Sequence, residues 1–403
     1  MTIPSLEVLE NGTLADVTPL NTNFERLRVG VNTNESSINN LNTNLQDLST
    51  EVESISAIVM PDLTYEKLDS KFLVAKNKSN LTLKAGTTIR LDVSSDDVRY
   101  LEVKEDTDYN IFNIIDSGAA SLAAGKDYYV YLVAKDVTDS GTGTITKTVE
   151  IKASINSTYP TGYNANNSRK IGGFHTLCLG ITSSNAPAQL DGSTHGLIGY
   201  NAGDIVPETV WCLAHRPQSS PEGMYYDDLV DLWCDCYFVS GTDGDPTSAY
   251  GATRTHTITY QALAGRLGLL KKRFPTPEEF MMLARGGNEK TNVYGSVQPN
   301  PDTSGGHLDT AGKAMVNPKG GWEFAGIEWQ FVQSISGDGG SNFSTTDGSG
   351  ARGQTYGTAR ILYAGGIWYD SSSCGSRALG AADVLSSAHA FIGGRAVSQP
   401  LRV

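Results

Sequence analysis

At 403 residues the chain is long enough for roughly two or three domains, and with 44 acidic against 31 basic side chains it carries a formal net charge of −13. A charged fraction of only 19% and 43 glycines imply many turns and little helical surface, and no nucleic-acid partner is expected, because the densest basic run is only Lys271-Lys272-Arg273. The start Met1-Thr2-Ile3-Pro4-Ser5 lacks the basic flank and apolar stretch of a signal peptide, and no apolar run reaches membrane-spanning length, so neither that export route nor membrane insertion is expected.

The first sixty residues hold eight acidic and two basic side chains. Within them apolar residues recur at alternating spacings of three and four. With Phe24 at heptad position a, Val31, Ile38, Leu45, Val52 and Val59 follow at a, and Leu27, Leu41, Leu48 and Ile55 fall at d. Only Asn34 interrupts the d series. A stripe this narrow leaves its seam in water unless other helices cover it, so a coiled coil is expected, with Asn34 fixing register and strand number. Pro19 and Pro61 supply its stops.

From 62 to 203 the pattern changes to short β-prone runs at 81–83, 87–91, 128–133 and 144–151, broken by Gly, Asn, Asp and Ser. That is the pattern of a β-sandwich-like scaffold. Beyond 204, Trp211 and Trp233 sit in apolar runs, and 261–270 and 277–285 read as short helices. Thr276 can cap the second, and Glu278 and Glu279 complement its positive end. After Gly286 the chain is mostly Gly, Ser, Asn, Asp and Thr, apart from 322–332 and the final segment. This composition suits long loops pinned to a small core, an arrangement associated with binding surfaces.

The five cysteines, Cys178, Cys212, Cys234, Cys236 and Cys374, lack the paired spacing of a zinc site. Cys234-Asp235-Cys236 lies in an alternating run that turns both thiols to one sheet face, where they would act as small buried hydrophobes.

The last segment carries three blocks in order: Gly365-Gly366-Ile367-Trp368, Gly375-Ser376-Arg377-Ala378 and Ile392-Gly393-Gly394-Arg395. Together with Arg216-Pro217, the run 272–280 and Gly326-Ile327-Glu328-Trp329-Gln330, they resemble the C-type-lectin-fold variable proteins of diversity-generating retroelements, which include phage tail-fibre tropism determinants. The resemblance covers about 205–403. Upstream, residues 10–16 followed by Asn23-Phe24 are similar to the start of many phage tail proteins.

The resemblance implies a multidomain homotrimer: an attachment region and coiled coil at 1–61, the β-rich scaffold at 62–203, and at 204–403 an α+β C-type lectin domain of the formylglycine-generating-enzyme-like kind. Its variable region would span about 361–403. It further implies a virion protein at a tail-fibre tip, whose partners are its own copies, other phage tail proteins and a host cell-surface protein or glycan receptor. In such proteins a template is copied into the gene with changes at adenines, which turns an AAC codon into many residues but never Lys, Glu, Gln, Met or Trp. Residues 367–391 contain no Lys, Glu, Gln or Met, and their only Trp lies in the first block.

By this similarity the receptor-binding, variable positions are Ile367, Tyr369, Asp370, Ser373, Gly380, Ala382, Asp383, Ser387, His389 and Phe391. The structural frame is Trp368, Gly375, Ser376, Arg377, Ala378, Gly393, Gly394 and Arg395. Physical chemistry supports the same division: Trp368 offers a large buried anchor, Arg377 and Arg395 can tie loops through rigid donors, and Tyr369, His389 and Phe391 supply aromatic contact surface.

Three rivals remain. The run 273–280 followed by Ala284-Arg285-Gly286-Gly287 is also similar to formylglycine-generating oxidases, but those use a reactive cysteine pair and only Cys374 lies near the end, so no enzyme and no catalytic residue is expected. A calcium-dependent sugar lectin would need an oxygen-rich loop, for which Gln298-Pro299-Asn300-Pro301-Asp302 is the nearest candidate. A purely structural tail component would leave the aromatic C-terminus unexplained. No cofactor is expected, with a structural divalent cation left open at Asp243-Gly244-Asp245 or Ser336-Gly337-Asp338.

Overall fold

A computed structural model describes residues 18–59, 66–68, 71–189, 191–241, 246–287, 313–337, 343–344, 355–356, 359–368 and 370–401. They divide into two compact units, Met1–Tyr65 and Glu66–Val403.

The described residues of the first unit form one helix, α1 (Thr18–Val59), whose 42 residues contain every heptad position from Phe24 to Val59. It begins earlier than the heptads. Pro19 falls in its first turn, where the missing N–H costs no hydrogen bond, so this proline opens the helix rather than stopping the chain ahead of it. Within the single chain the seam lies open, with Phe24, Leu27, Val31, Ile38, Leu41, Leu45 and Leu48 between 56% and 64% exposed.

The second unit starts with strands β1 (Leu73–Asn77), β2 (Asn80–Leu83), β3 (Thr87–Ser94), β4 (Asp97–Val103) and β5 (Thr107–Asn110). They form a three-stranded sheet, β1-β2-β5, and the hairpin β3-β4. A single turn of helix, α2 (Ile111–Ile114), is capped by the Asn110 side chain. Across the core lies a second, antiparallel sheet of β6 (Asp127–Thr138), β7 (Ile145–Ser154), β8 (Ser168–His175) and β9 (Trp211–Cys212), in the order β7-β6-β8-β9. This is the expected layered scaffold.

Strand β6 joins the scaffold to the C-terminal half of the unit. Its residues alternate between two cores: Tyr128, Val130 and Leu132 pack with Phe72, Leu81 and Ile89, while Tyr129, Tyr131 and Val133 pack with Trp211, Met224 and Trp233. A strand buried on both faces reads as one apolar run, as this one does. The boundary expected at 203 therefore falls inside one compact unit, because β9 completes the scaffold sheet. A hydrogen-bonded relay pins the same junction: half-buried Asp127 Oδ1 lies 2.9 Å from His175 Nδ1, and buried His175 Nε2 lies 2.9 Å from the Tyr237 hydroxyl.

The chain then forms β10 (Met224–Asp227) and β11 (Leu232–Asp235), the pair β12 (Val239–Ser240) and β13 (Thr247–Ser248), and helices α3 (Tyr260–Leu269) and α4 (Pro277–Leu283). Both helices match expectation. Thr276 and Glu279 form a reciprocal capping box on α4, and Arg273 grips Glu279 through two bonds of 2.6 and 2.7 Å.

Past Gly286 the chain holds more regular structure than its composition suggested. Strands β14 (Trp329–Gly337), β15 (Phe343–Ser344), β16 (Thr355–Tyr356), β17 (Ala359–Gly365), β18 (Gly375–Gly380), β19 (Ile392–Gly393) and β20 (Val397–Ser398) complete it. Four of them make a sheet ordered β18-β17-β14-β19, β15 pairs with β16, and β20 extends β10-β11. The four-stranded sheet divides two cores by side-chain alternation. Phe331, Ile361 and Tyr363 face α3 residues Leu263 and Leu267, and Val332, Leu362 and Ala364 face α4 residues Phe280 and Leu283.

All five cysteines are buried and none forms a disulfide, with Cys234 and Cys236 in the same core as α4. No helix among the described residues is long and apolar enough to cross a membrane.

Candidate functional site

The last β-strands carry the candidate site on a frame that tolerates little change. Gly365 has φ 97° and would place a Cβ 2.3 Å from the Phe324 carbonyl oxygen; Gly366 has φ 83° and would place one 2.9 Å from Cys374 Sγ. Both are confined to glycine. The Cys374 thiol donates to Ile367 O at 3.2 Å, and burial pushes its pKa up to about 12, away from the reactive thiolate.

Arg395 is the hub of the frame. Its guanidinium is fully buried and donates to Asp235 O at 2.6 Å, to Gln330 Oε1 at 3.2 Å and to Trp322 O, while lying 4.1 Å from the Phe324 ring centroid. The buried Asp235 carboxylate is itself satisfied by Lys272 Nζ at 2.7 Å and Ala396 N–H at 3.0 Å. The third block is thus tied to β11 and β14 by paired polar groups rather than by packing alone.

Loop 381–391 rests on this frame and is gripped by its main chain. Ile361 N–H donates to Asp383 O at 2.9 Å, the Tyr363 hydroxyl accepts from Ala382 N–H at 3.1 Å, and the Arg360 guanidinium donates to Ala382 O. Farther along, Thr257 N–H donates to His389 O at 3.0 Å and Trp329 N–H to Phe391 O at 3.2 Å. None of these five bonds uses a loop side chain, so the side chains can change while the grip persists.

Ser373 and Ala382 are exposed, and Asp370, Asp383, Ser387, His389 and Phe391 keep part of their surface in solvent. Asp370 also closes its own turn, accepting from Ile367 N–H at 2.9 Å. His389 stacks on Phe391 with centroids 5.1 Å apart and planes 19° apart, and Asp383 Oδ1 lies 3.0 Å from His389 Nε2. Tyr369 lies outside the described residues, as do the oxygen-rich loops at 298–302 and 243–245 and residue Asp338.

Several expected roles change. Ile367 is fully buried and bridged to Ile327, so in this chain it belongs to the core rather than to the display surface. Gly380 cannot be freely varied, because an added Cβ would sit 2.3 Å from the Tyr363 ring. Trp368 is a half-buried neighbour of Phe238, Met315 and Ile327, not a fully enclosed anchor. Arg377 is exposed on edge strand β18, whose alternation also leaves Leu379 43% exposed. Gly375, Gly393, Gly394 and Arg395 are buried, and Ser376 and Ala378 half-buried.

Sequence reasoning missed Tyr363, Arg360 and Leu379, none of which falls in a recognised display position. Burial raises the Tyr363 hydroxyl to about 12, so it remains protonated and able to donate to Asp383. Among the described residues no group of His, Cys, Asp and Glu is placed to hold a metal ion.

Beneath the loop, Glu328 and Arg254 form a buried ion pair at 2.8 Å, each side chain 2% exposed, and Glu328 Oε2 has no hydrogen-bond partner. Burial pushes the Glu328 carboxyl up from 4.5 to about 7, with Arg254 opposing and Glu323 adding to the rise. A raised carboxyl pKa means that the stabilisation is complete below about 4.5 and is lost as pH climbs toward 7. Relative to Glu328→Gln, the protein should lose on the order of 3 kcal/mol across that window, measured by denaturant unfolding at a series of pH values. Parallel stability curves for the two proteins would refute the shift.

The architecture defines a class: a multidomain, β-rich protein with a C-type-lectin-like fold, here with a loop presented on the terminal sheet. Residues 71–212 match the family model described as the Mtd second domain. The curated "Tail fiber receptor-binding protein" of Bordetella phage BPP-1 is 29% identical over 307 residues, covering 70% of this chain and 73% of that one. Solved structures of the Major Tropism Determinant U1 and M1 variants superpose with a TM-score of 0.64 at 24% identity, covering 84% and 85% of this chain and 86% and 88% of theirs. The resemblance read from the three C-terminal blocks thus agrees with independent matches in sequence and fold.

Proposed function

We propose that this chain is a phage tail-fibre receptor-binding protein, a tropism determinant whose terminal lectin-like domain binds a host cell-surface receptor. The observation that carries the reading is loop 381–391, which is held through main-chain atoms while Ala382, Asp383, Ser387 and His389 keep solvent-accessible side chains. Ser373 and Asp370 extend the surface, and Tyr369 stays in the set on sequence grounds. Such a surface can be rewritten by retroelement diversification without loss of fold. The copies assemble as a homotrimer through α1, which multiplies weak single-site contacts.

The test exchanges Ser373, Ala382, Ser387 and His389 together for Tyr, Asp, Tyr and Ser. Retention of the labelled protein on intact cells of the host strain should vanish, while stability stays within about 0.5 kcal/mol per position. Unchanged retention would overturn the assignment of the surface.

A further inference from the structure

We infer that Tyr363 is a positioning residue for this surface, acting through Asp383 to hold His389 flat on Phe391, so that the two rings meet the receptor as one preassembled platform. The inference rests on the receptor-binding reading.

The chain of contacts runs from the core outward. Tyr363 lies on β17, only 5% exposed, with the Trp329 ring edge-on at 5.0 Å and Gly380 closing its other approach. Its ring therefore has no room to turn. The hydroxyl accepts from Ala382 N–H at 3.1 Å and directs its single proton to Asp383 Oδ2 at 3.0 Å. An ionised carboxylate only accepts, so at the other oxygen the His389 Nε2 must carry the proton across the 3.0 Å contact. That bond selects the imidazole tautomer and its orientation, and the ring lies at 19° to Phe391, which packs onto the core containing Leu263, Phe331 and Ile392.

An unrestrained imidazole would have to be ordered at the moment of binding, and pre-ordering removes that cost. Positions 383 and 389 consequently act as a pair. A change at 383 alters how His389 is presented even where residue 383 touches nothing on the receptor.

Tyr363→Phe keeps the ring and its packing but removes the hydroxyl. In the full-length protein labelled at histidine, nitrogen chemical shifts report the His389 tautomer and ring-proton shifts report its stacking. Tyr363→Phe should reduce the Nε2–H tautomer and the stacking shift, and lower retention on host-strain cells about tenfold. In a His389→Ala background the same substitution should have no further effect on retention, which a purely structural role would not produce. Unchanged tautomer and stacking in Tyr363→Phe would overturn the inference, as would an equal loss of retention in both backgrounds. If the parent protein is not retained at all, the receptor-binding reading falls, and the histidine spectra still decide whether Tyr363 positions the ring.

Discussion

Replacing Arg395 with Met should cost on the order of 3–5 kcal/mol, a large share of an ordinary stability of about 5–15 kcal/mol for residues 66–403. Methionine keeps much of the side-chain volume against Phe324 and Phe238, so the loss isolates the polar contribution. The guanidinium serves Asp235 O, Trp322 O and Gln330 Oε1, and no water can reach a side chain with no exposed surface to replace it. Each buried acceptor left without a donor costs about 1–3 kcal/mol, and Gln330 cannot readily turn away because its amide already binds Glu323 O and Phe324 O. Arg395→Lys should recover less than half of the loss, since one ammonium cannot reproduce a planar fork aimed at separate carbonyls. Denaturant unfolding of the full chain measures both variants. A Met variant within about 1 kcal/mol of the parent would show that the third block is held by packing and not by this residue.

The same contrast explains what was legible in the sequence. Arg395 could be assigned to the frame because an arginine following two glycines in a small-residue segment has little else to do than tie backbone together. The helix over heptads 24–59, the cap at Thr276 and the strand at 128–133 were legible because their signals are local: spacing, an N-terminal hydroxyl ahead of two glutamates, and a continuous apolar run. Strand β17 was not read as a strand, since burial on both faces erased the polar alternation and Gly-rich loops surround it. Gly380 and Ile367 were misassigned for a different reason. What constrains them is Tyr363 in one case and Ile327 in the other, partners brought alongside only by sheet pairing. The candidate site was therefore legible as a segment, and its division into outward and inward side chains was not. Tyr363 escaped notice for the same reason, because its importance lies in reaching Ala382 and Asp383 across the sheet edge.

For the homotrimer proposed above, substituting Asp for Leu27, Leu41 and Leu48 should reduce the solution mass from that of three chains to that of one chain of 43.1 kDa. These leucines are 60%, 64% and 58% exposed on the isolated helix, and all stand at d. Covering such a side chain contributes about 1.5–3 kcal/mol, whereas a carboxylate from each chain would meet its neighbours across a dry axis. Repulsion and lost burial act together, and the helix has few charged partners along its length to compensate: Glu25 with Arg28 is an ion pair within one chain. Because Glu66–Val403 forms its own compact unit, its melting should survive the change. Retention on host cells should nevertheless fall by about 10²–10⁴, the part of binding that comes from joining sites rather than from any contact. A variant that still sedimented as a trimer would place the joining surface elsewhere. One that became monomeric without losing retention would mean that a single display loop binds tightly enough alone, and that the seam serves assembly into the fibre instead of avidity.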